Sequence, residues 1–385
     1  MKQLKRVIGG CLLSALVACS SEPADLGEAE NVLDAAADEV AQTESTAEPD
    51  QPAAEPINTS LIPADFDAPV LVEAEGFKIV PLGPDLVEMD FAAYMSSIEH
   101  LQKTFTRSTS WPHEGITDAD AMLDMQTEQA RFEARESFAY AVLTPDGTRE
   151  RGCVYVHPSQ LDGYDAQVRM WVTKAEFDAG FDAQLFEWAK GWVESDWPFE
   201  KVAYPGRDIP WSSWDEQLAQ QEEQEAALLA ENLTTAEAFI DAFYSFDADR
   251  LKAFMTETDE TAARIAYYQG WAEGGNYAVI ERNACAGETP TLIECAITVQ
   301  DDPVLALKTG FNVTDTFHIT FADAQIASIR TSSNDQPIYY EARKWVEANL
   351  PEVMSGPCLE GGDTPGDCAR AMTEGYKKFY AATQM

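Results

Sequence analysis

Residues 138–157, FAYAVLTPDGTRERGCVYVH, form a β-hairpin pattern near the middle of this 385-residue chain. Phe138 to Leu143 and Glu150 to His157 are rich in aromatic and β-branched residues, which favour strands. Between them, Thr144-Pro145-Asp146-Gly147 supplies the residues of a tight turn, because proline presets one backbone angle and glycine tolerates a positive φ. The stretch therefore predicts two adjacent antiparallel strands.

Helices and strands alternate on both sides of this hairpin. Periodicity predicts three further strands, at residues 77–82, 167–172 and 202–204, and three helices, at residues 90–102, 118–137 and 181–195. Thr117 and Asp120 have the spacing of an N-cap and the third residue of the helix that follows. The order is strand, two helices, three antiparallel strands, helix and strand, which predicts a mixed α/β domain over residues 61–211.

Several short motifs accompany this order of elements: Ala93-Tyr94-Met95-Ser96-Ser97, Trp111-Pro112, Phe138-Ala139-Tyr140, Gly152 to Val156 with Pro158, and Trp197-Pro198-Phe199. Together they resemble a bacterial branch of the GNAT (N-acetyltransferase-like) proteins. The resemblance implies an acetyl-CoA site in which backbone amides of a glycine-rich loop hold the pyrophosphate. The corresponding loop here is Thr173 to Phe181, TKAEFDAGF, which keeps Gly180 alone of the glycines and adds Glu176 and Asp178. We therefore expect this domain to lack a standard acetyl-CoA site and name no cofactor.

A polar run rich in Glu, Gln and Ala, from Trp214 to Asn232, predicts a solvated linker helix over residues 212–232. The following domain, residues 233–385, opens with a helix at 235–244. Two more helices precede strands at 277–285, 292–299, 314–321 and 324–331, and a C-terminal extension follows from Ile338. The overall fold class is mixed, an α/β domain followed by an α+β domain.

The second domain resembles the SnoaL-like cone, a fold similar to nuclear transport factor two. Three segments carry the resemblance: the opening helix, Tyr267-Tyr268-Gln269-Gly270-Trp271, and Val313 to Phe317. The resemblance implies a pocket between helices and sheet, in which relatives use Asp, Tyr or His to abstract a proton. It also implies a possible homodimer. The pocket candidates by position are Asp241, Tyr244, Tyr267, Tyr268, Trp271 and His318. A non-catalytic interpretation competes with this one. In it, Asp241 faces solvent on its helix and His318 is an ordinary polar residue on the outer face of the sheet.

The N-terminus has the pattern of an export signal. Lys2, Lys5 and Arg6 precede an apolar run that is too short to span a bilayer. Leu16-Val17-Ala18-Cys19 then resembles the lipobox of bacterial lipoproteins. The resemblance implies a signal peptide at 1–18 and lipidation of Cys19. Residue 20 is Ser rather than Asp, which favours the periplasmic side of the outer membrane. Residues 19–60 lack aromatic residues and predict a disordered acidic tether.

The charge balance limits the possible partners. The chain has 67 acidic and 26 basic residues and a formal charge of −41. Nucleic acid is an improbable partner, because phosphate binding needs clustered Lys and Arg. Four histidines with none near another predict no zinc site. The expected function is a lipid-anchored envelope protein that binds a small molecule or another envelope protein. The alternative is an exported acyltransferase or isomerase-like enzyme.

Five cysteines remain after Cys11 leaves with the signal and Cys19 is acylated. Export to an oxidising compartment favours disulfides. Cys285 and Cys295 flank a hairpin turn, and Cys358 and Cys368 flank a loop with no apolar core. Pairing Cys285–Cys295 and Cys358–Cys368 leaves Cys153 free and buried. Crosswise pairing, or four reduced thiols, remain alternatives.

Overall fold

The computed structural model describes residues 60–255, 260–359, 362 and 364–384. The predicted signal peptide, Cys19 and the tether before Ser60 lie outside the described residues. Within the described ranges, no helix combines the length and apolar character that crossing a bilayer requires. By its internal contacts, Asn58–Met385 forms one unit.

A six-stranded sheet, called the first sheet, occupies the first half of the described chain. Its strands lie in chain order: β1 Val72–Ala74, β2 Phe77–Pro81, β3 Phe138–Leu143, β4 Glu150–His157, β5 Ala166–Val172 and β6 Val202–Ala203. All neighbours are antiparallel except β5 and β6, which run parallel. The pairing of β5 with β6 is confined to the start of β5, at Ala166 and Gln167. The rest of β5 therefore extends past its neighbour.

Helices cover both faces of the first sheet: α1 Val87–Met95, α2 Ile98–Leu101, α3 Asp118–Glu133, α4 Lys174–Asp178 and α5 Phe181–Asp196. The alternation of side chains along a strand explains why both faces are buried. On β3, Phe138, Tyr140 and Val142 pack in the cluster that contains α5. Ala139, Ala141 and Leu143 pack in the cluster that contains residues of α1, α2 and α3.

The predicted hairpin is confirmed with its predicted bounds. The predicted N-terminus of the long helix is also confirmed, since Thr117 and Asp120 form a reciprocal capping box at the start of α3. The helix predicted over 90–102 differs, because α1 begins at Val87 and ends before Ser96, and α2 follows as a separate turn. The Ser96 hydroxyl bonds to the carbonyl oxygen of Ala93, an interaction that competes with helix continuation.

A single helix, α6 Trp211–Phe243, replaces the predicted linker helix and the predicted opening helix of the second domain. The helix contains no glycine and no proline that would end it. Its second half is buried through Ala236, Phe239, Ile240 and Phe243. The predicted linker helix and the predicted opening helix are therefore joined without a break in the backbone.

A second, curled sheet follows α6. It contains β7 Ala278–Arg282, β8 Ala286–Thr289, β9 Leu292–Gln300, β10 Val313–Ala322 and β11 Gln325–Ser333. The strand order is β11-β10-β9-β7, and β8 also pairs with β9. Helices accompany this sheet: α7 Ala248–Lys252, α8 Glu260–Gly274, α9 Asp302–Ala306, α10 Pro337–Asn349, α11 Pro351–Ser355 and α12 Pro365–Thr383. The predicted mixed fold class is confirmed.

Both predicted cysteine pairs lie at disulfide distance. The sulfur atoms of Cys285 and Cys295 are 1.98 Å apart, and those of Cys358 and Cys368 are 1.96 Å apart. Cys153 is free and buried, as predicted. Cys285 and Cys295 lie in the core of the second sheet, whereas Cys358 and Cys368 join the segment after α11 to α12.

Candidate ligand-binding site

A cavity of about 300 Å³, called the acidic pocket, lies on the face of the first sheet that α1 and α3 cover. Three carboxylates line it: Asp90 on α1, and Asp124 and Glu128 on α3. Asp124 and Glu128 are four residues apart and therefore share one face of their helix. Burial raises the pKa of each of these three groups. The helices thus bring negative charge to one side of the pocket.

Aromatic rings form much of the remaining wall: Tyr94, Phe105, Trp111 and Tyr155. The rings of Tyr94 and Trp111 are 5.1 Å apart, and those of Phe105 and Tyr155 are 5.6 Å apart. Phe105 and Trp111 come from the segment between α2 and α3, whereas Tyr155 projects from β4. Aromatic faces next to carboxylates are a chemical environment that suits an organic cation.

Among the described residues, three polar atoms of the pocket-lining side chains are buried with no hydrogen-bond partner: the Tyr94 hydroxyl, Oε2 of Glu128 and Nε of Arg169. Buried polar groups are nearly always hydrogen-bonded, so such atoms require an explanation. Glu128 uses its other oxygen to accept from Arg131 at 3.2 Å. Both acceptor and donor atoms are thus left unsatisfied in the pocket wall.

Beneath Asp90, a second carboxyl and a thiol complete a buried cluster. The Cys153 thiol donates to Oε1 of Glu150 at 3.0 Å and lies 3.6 Å from Oδ1 of Asp90. Asp90 and Glu150 are 4% and 2% exposed. Burial raises the pKa of Asp90 to about 6, although hydrogen bonds from Glu150 and Cys153 oppose the rise. Burial and the charge of Asp90 raise the pKa of Glu150. Two adjacent carboxyls in this setting favour a shared proton.

A β-bulge explains how Glu150 reaches this cluster. Leu143 pairs with Glu150 and Val142 pairs with Gly152, so Arg151 is an extra residue in β4. An extra residue changes the side to which the preceding side chain points. A Cβ on Gly152 would lie 2.0 Å from the carbonyl oxygen of Trp171, so no other residue fits there. The side chains of Glu150 and Cys153 therefore lie on the same face of the sheet, the one that α1 and α3 cover.

The same cluster could hold a metal ion, since ligand atoms of Asp90, Glu150 and Cys153 lie within 4.8 Å of one another. The sequence predicts no metal site, because its four histidines lie far apart; this cluster instead joins residues of two elements that are distant in the sequence. Burial also raises the pKa of the Cys153 thiol. The raised pKa values of Glu150 and Cys153 favour their protonated forms, which are poor metal ligands.

The sheet side of the acidic pocket carries Arg169 and His157. The guanidinium of Arg169 lies 4.5 Å from the centre of the Phe105 ring and donates to the Phe105 carbonyl oxygen. Burial, reinforced by the charge of Arg169, lowers the pKa of His157 to about 4. His157 is therefore neutral at pH 7, and Arg169 supplies the positive charge on this side.

A second cavity of about 240 Å³, called the basic cleft, lies where β5 extends past β6. Phe105 and Arg169 line both cavities. Lys103 and Arg207 add positive charge, although Arg207 pairs with Asp182 at 2.5 Å. The two cavities thus adjoin on either side of Arg169.

The loop expected to hold pyrophosphate, Thr173 to Phe181, is occupied by its own contacts. The Lys174 amide donates to the Ser97 hydroxyl at 2.8 Å, and the Glu176 amide donates to the Thr173 hydroxyl at 3.3 Å. The Glu176 carboxylate pairs with Arg149 at 2.6 Å and Arg151 at 2.5 Å. An anion at this helix start would meet that carboxylate and find these two amides already bonded.

Of the pocket candidates of the second domain, the structure brings together Tyr244 and Tyr268, whose side chains both face the buried carboxyl of Asp315. Burial raises the pKa of that carboxyl to about 7. Asp241, Tyr267 and His318 lie elsewhere. Asp241 pairs with Arg282, and the side chain of Tyr267 is exposed. Tyr244 faces the core beside Phe243, and burial raises its pKa. His318 lies on the outer face of β10, because the buried positions of that strand alternate with it. Of the other two, Tyr268 packs on Phe243 in the core and Trp271 packs against the C-terminal helices.

No family model matches the sequence, and no curated protein matches it. Among solved structures, the chain is similar to one named as a GnaT-family acetyltransferase of Bordetella pertussis. The two share 16% identity, and the similarity covers 32% of this chain and 72% of that chain, with a TM-score of 0.26.

Proposed function

We propose that this protein is a lipid-anchored envelope protein whose acidic pocket binds a small organic amine. The observation that carries the proposal is the set of carboxylates and aromatic rings that line the pocket together: Asp124, Glu128, Tyr94 and Trp111. An ammonium group can donate to Glu128, and the aromatic rings add cation–π attraction. The Arg169 guanidinium is a donor on the opposite side of the pocket. A ligand that carries an acceptor as well as an ammonium group can therefore bond to both Glu128 and Arg169.

Acyl transfer to such an amine is the alternative function. It draws support from the basic cleft, which adjoins the acidic pocket at Arg169 and would accept an anionic donor. The internal bonds of Thr173, Lys174 and Glu176 count against coenzyme A at this position. We retain the GNAT-like assignment of residues 61–211 and the SnoaL-like assignment of residues 233–385 as parts of this proposal; the order of their elements supports them.

Calorimetry of the mature protein tests the binding proposal. Short diamines and ω-amino acids should bind, whereas diols of the same chain length should not. Glu128→Gln should weaken amine binding about tenfold, because a charge-assisted hydrogen bond contributes ~1.5–3 kcal/mol when buried and less when half-exposed. Acetyl-CoA should show no binding.

Glu133→Gln is the matched control, since it removes a carboxylate from the same helix outside the pocket lining. Equal binding of diamines and diols, or equal loss in the two variants, would contradict the proposal. Micromolar binding of acetyl-CoA would favour acyl transfer instead.

Cell fractionation tests the anchor. Cys19→Ser removes the thiol that the lipobox pattern marks for acylation, and the variant should move from the detergent-extracted membrane fraction to the soluble fraction. Several acyl chains, at ~0.8 kcal/mol per buried methylene, hold a protein far better than a single chain. Continued dependence on detergent would argue against the lipoprotein assignment.

A further inference from the structure

Three polar side chains line up across adjacent strands on the outer face of the second sheet. Glu294 on β9 lies directly opposite His318 on β10 in the strand register. Ser332 lies on β11 diagonally from His318, since the residue opposite His318 is Arg330. This face is opposite to the one that buries Phe317. The sheet therefore holds the three side chains on a fixed scaffold.

Hydrogen bonds connect these side chains in a defined order. Nδ1 of His318 lies 2.8 Å from Oε1 of Glu294, and Nε2 lies 3.0 Å from the Ser332 hydroxyl. A carboxylate can accept but not donate, so Nδ1 carries the hydrogen. Nε2 is then free to accept from Ser332. This is the arrangement of an orienting carboxylate, a general base and a hydroxyl nucleophile.

A positive charge shares the same face. Arg330 lies two residues before Ser332 on β11, and side chains two apart on a strand point to the same side. It is also the cross-strand partner of His318, at a position where Cβ atoms are about 5 Å apart. Arg330 is exposed, and a guanidinium here can stabilise negative charge that develops near Ser332.

We propose that Ser332, His318, Glu294 and Arg330 form a second functional site that cleaves small, unhindered carboxylic esters. The Ser332 oxygen attacks the ester carbonyl while its proton passes to Nε2 of His318. The ester C–O bond then breaks, and His318 returns the proton to the leaving alcohol. Water then attacks the acyl group on Ser332 while His318 takes its proton; the bond between the acyl carbon and the Ser332 oxygen breaks, His318 returns the proton to that oxygen, and the acid leaves. Glu294 is a positioning residue. The site is independent of the acidic pocket.

The openness of the site defines its substrate class. The His318 side chain is 24% exposed and Glu294 55% exposed, so an ester approaches from solvent. An exposed face has no pocket that could recognise the shape of an acyl chain, so the site accepts esters whose carbonyl carbon is easy to reach. Small acetyl esters meet this requirement.

The test uses the mature protein with a fluorophosphonate and with 4-nitrophenyl acetate. Mass spectrometry should place the phosphonate on the peptide that carries Ser332, and Ser332→Ala should abolish that label. His318→Ala should slow labelling at least about a hundredfold, the usual contribution of a general base. Arg330→Gln should slow it about tenfold, less than a buried donor would, because solvent screens the charge.

Two controls separate catalysis from structure. Ser328→Ala removes another serine from the same face of β11 and should leave labelling unchanged, because Nε2 of His318 bonds to Ser332 and not to Ser328. Glu294→Ala should slow labelling, and Glu294→Asp should recover part of the rate, which a merely structural carboxylate would not do. Absence of label on Ser332, or labelling at the same rate in His318→Ala, would overturn the proposal.

Discussion

Asp90→Asn should make the stability of the protein less sensitive to pH. Asp90 is nearly fully buried beside Glu150, and burial raises its pKa from 3.8 to about 6. A carboxyl whose pKa is raised in the folded state contributes stability that is fully present below pH 3.8. That contribution is lost as the pH rises through 6, because ionisation is easier in the unfolded chain. Asparagine cannot ionise, so the variant does not undergo this loss.

The difference in pKa sets the magnitude. A rise from 3.8 to about 6 corresponds to about 3 kcal/mol at pH values well above both. Removing the Asp90 charge also removes one cause of the raised pKa of Glu150, which adds in the same direction. Because the unfolded carboxyl is already more than half ionised at pH 4, the stability of Asp90→Asn relative to wild type should increase by about 2 kcal/mol or more between pH 4 and pH 8.

Urea unfolding followed by tryptophan fluorescence measures this change. Comparing each variant with wild type at two pH values cancels any fixed cost of the substitution. Glu88→Gln, which removes an exposed carboxylate from the same helix, should show little change between the two pH values. If the advantage of Asp90→Asn were equal at pH 4 and pH 8, or smaller at pH 8, the shared-proton interpretation would be wrong.

Two further predictions concern the backbone and the cysteines. Gly152→Ala should reduce the free energy of unfolding by about 3 kcal/mol or more, because the new Cβ would lie 2.0 Å from the Trp171 carbonyl oxygen. Gly191→Ala in α5, where a Cβ meets nothing within 4 Å, should instead stabilise by up to about 1 kcal/mol; equal urea midpoints for the two variants would refute the prediction. Peptide mapping without reductant should recover two linked pairs, Cys285–Cys295 and Cys358–Cys368. A peptide that joins a cysteine of the first pair to a cysteine of the second would contradict this prediction.

Local chemistry made much of the fold predictable. The hairpin of β3 and β4 follows from its turn residues and strand composition, and the start of α3 follows from Thr117 and Asp120. The two cysteine pairs follow from short loops. Trp211–Phe243 shows one limit of such reasoning, since the sequence predicts two helices there, at 212–232 and 235–244, and the structure joins them into one. Polarity reports what surrounds a helix, and a change in polarity does not by itself end the helix.

The sequence by itself determined the acidic charge, which depends on composition alone. It also determined most local elements and the export pattern, because these depend on residues close together in the chain. Only the tertiary structure placed Asp90 on α1 beside Glu150 and Cys153 on β4, and one extra residue, Arg151, decided which way Glu150 points. The line from Glu294 through His318 to Ser332 likewise depends on the register of three strands. Register and bulges are set by long-range packing, and shifting a strand by one residue moves every side chain to the other face.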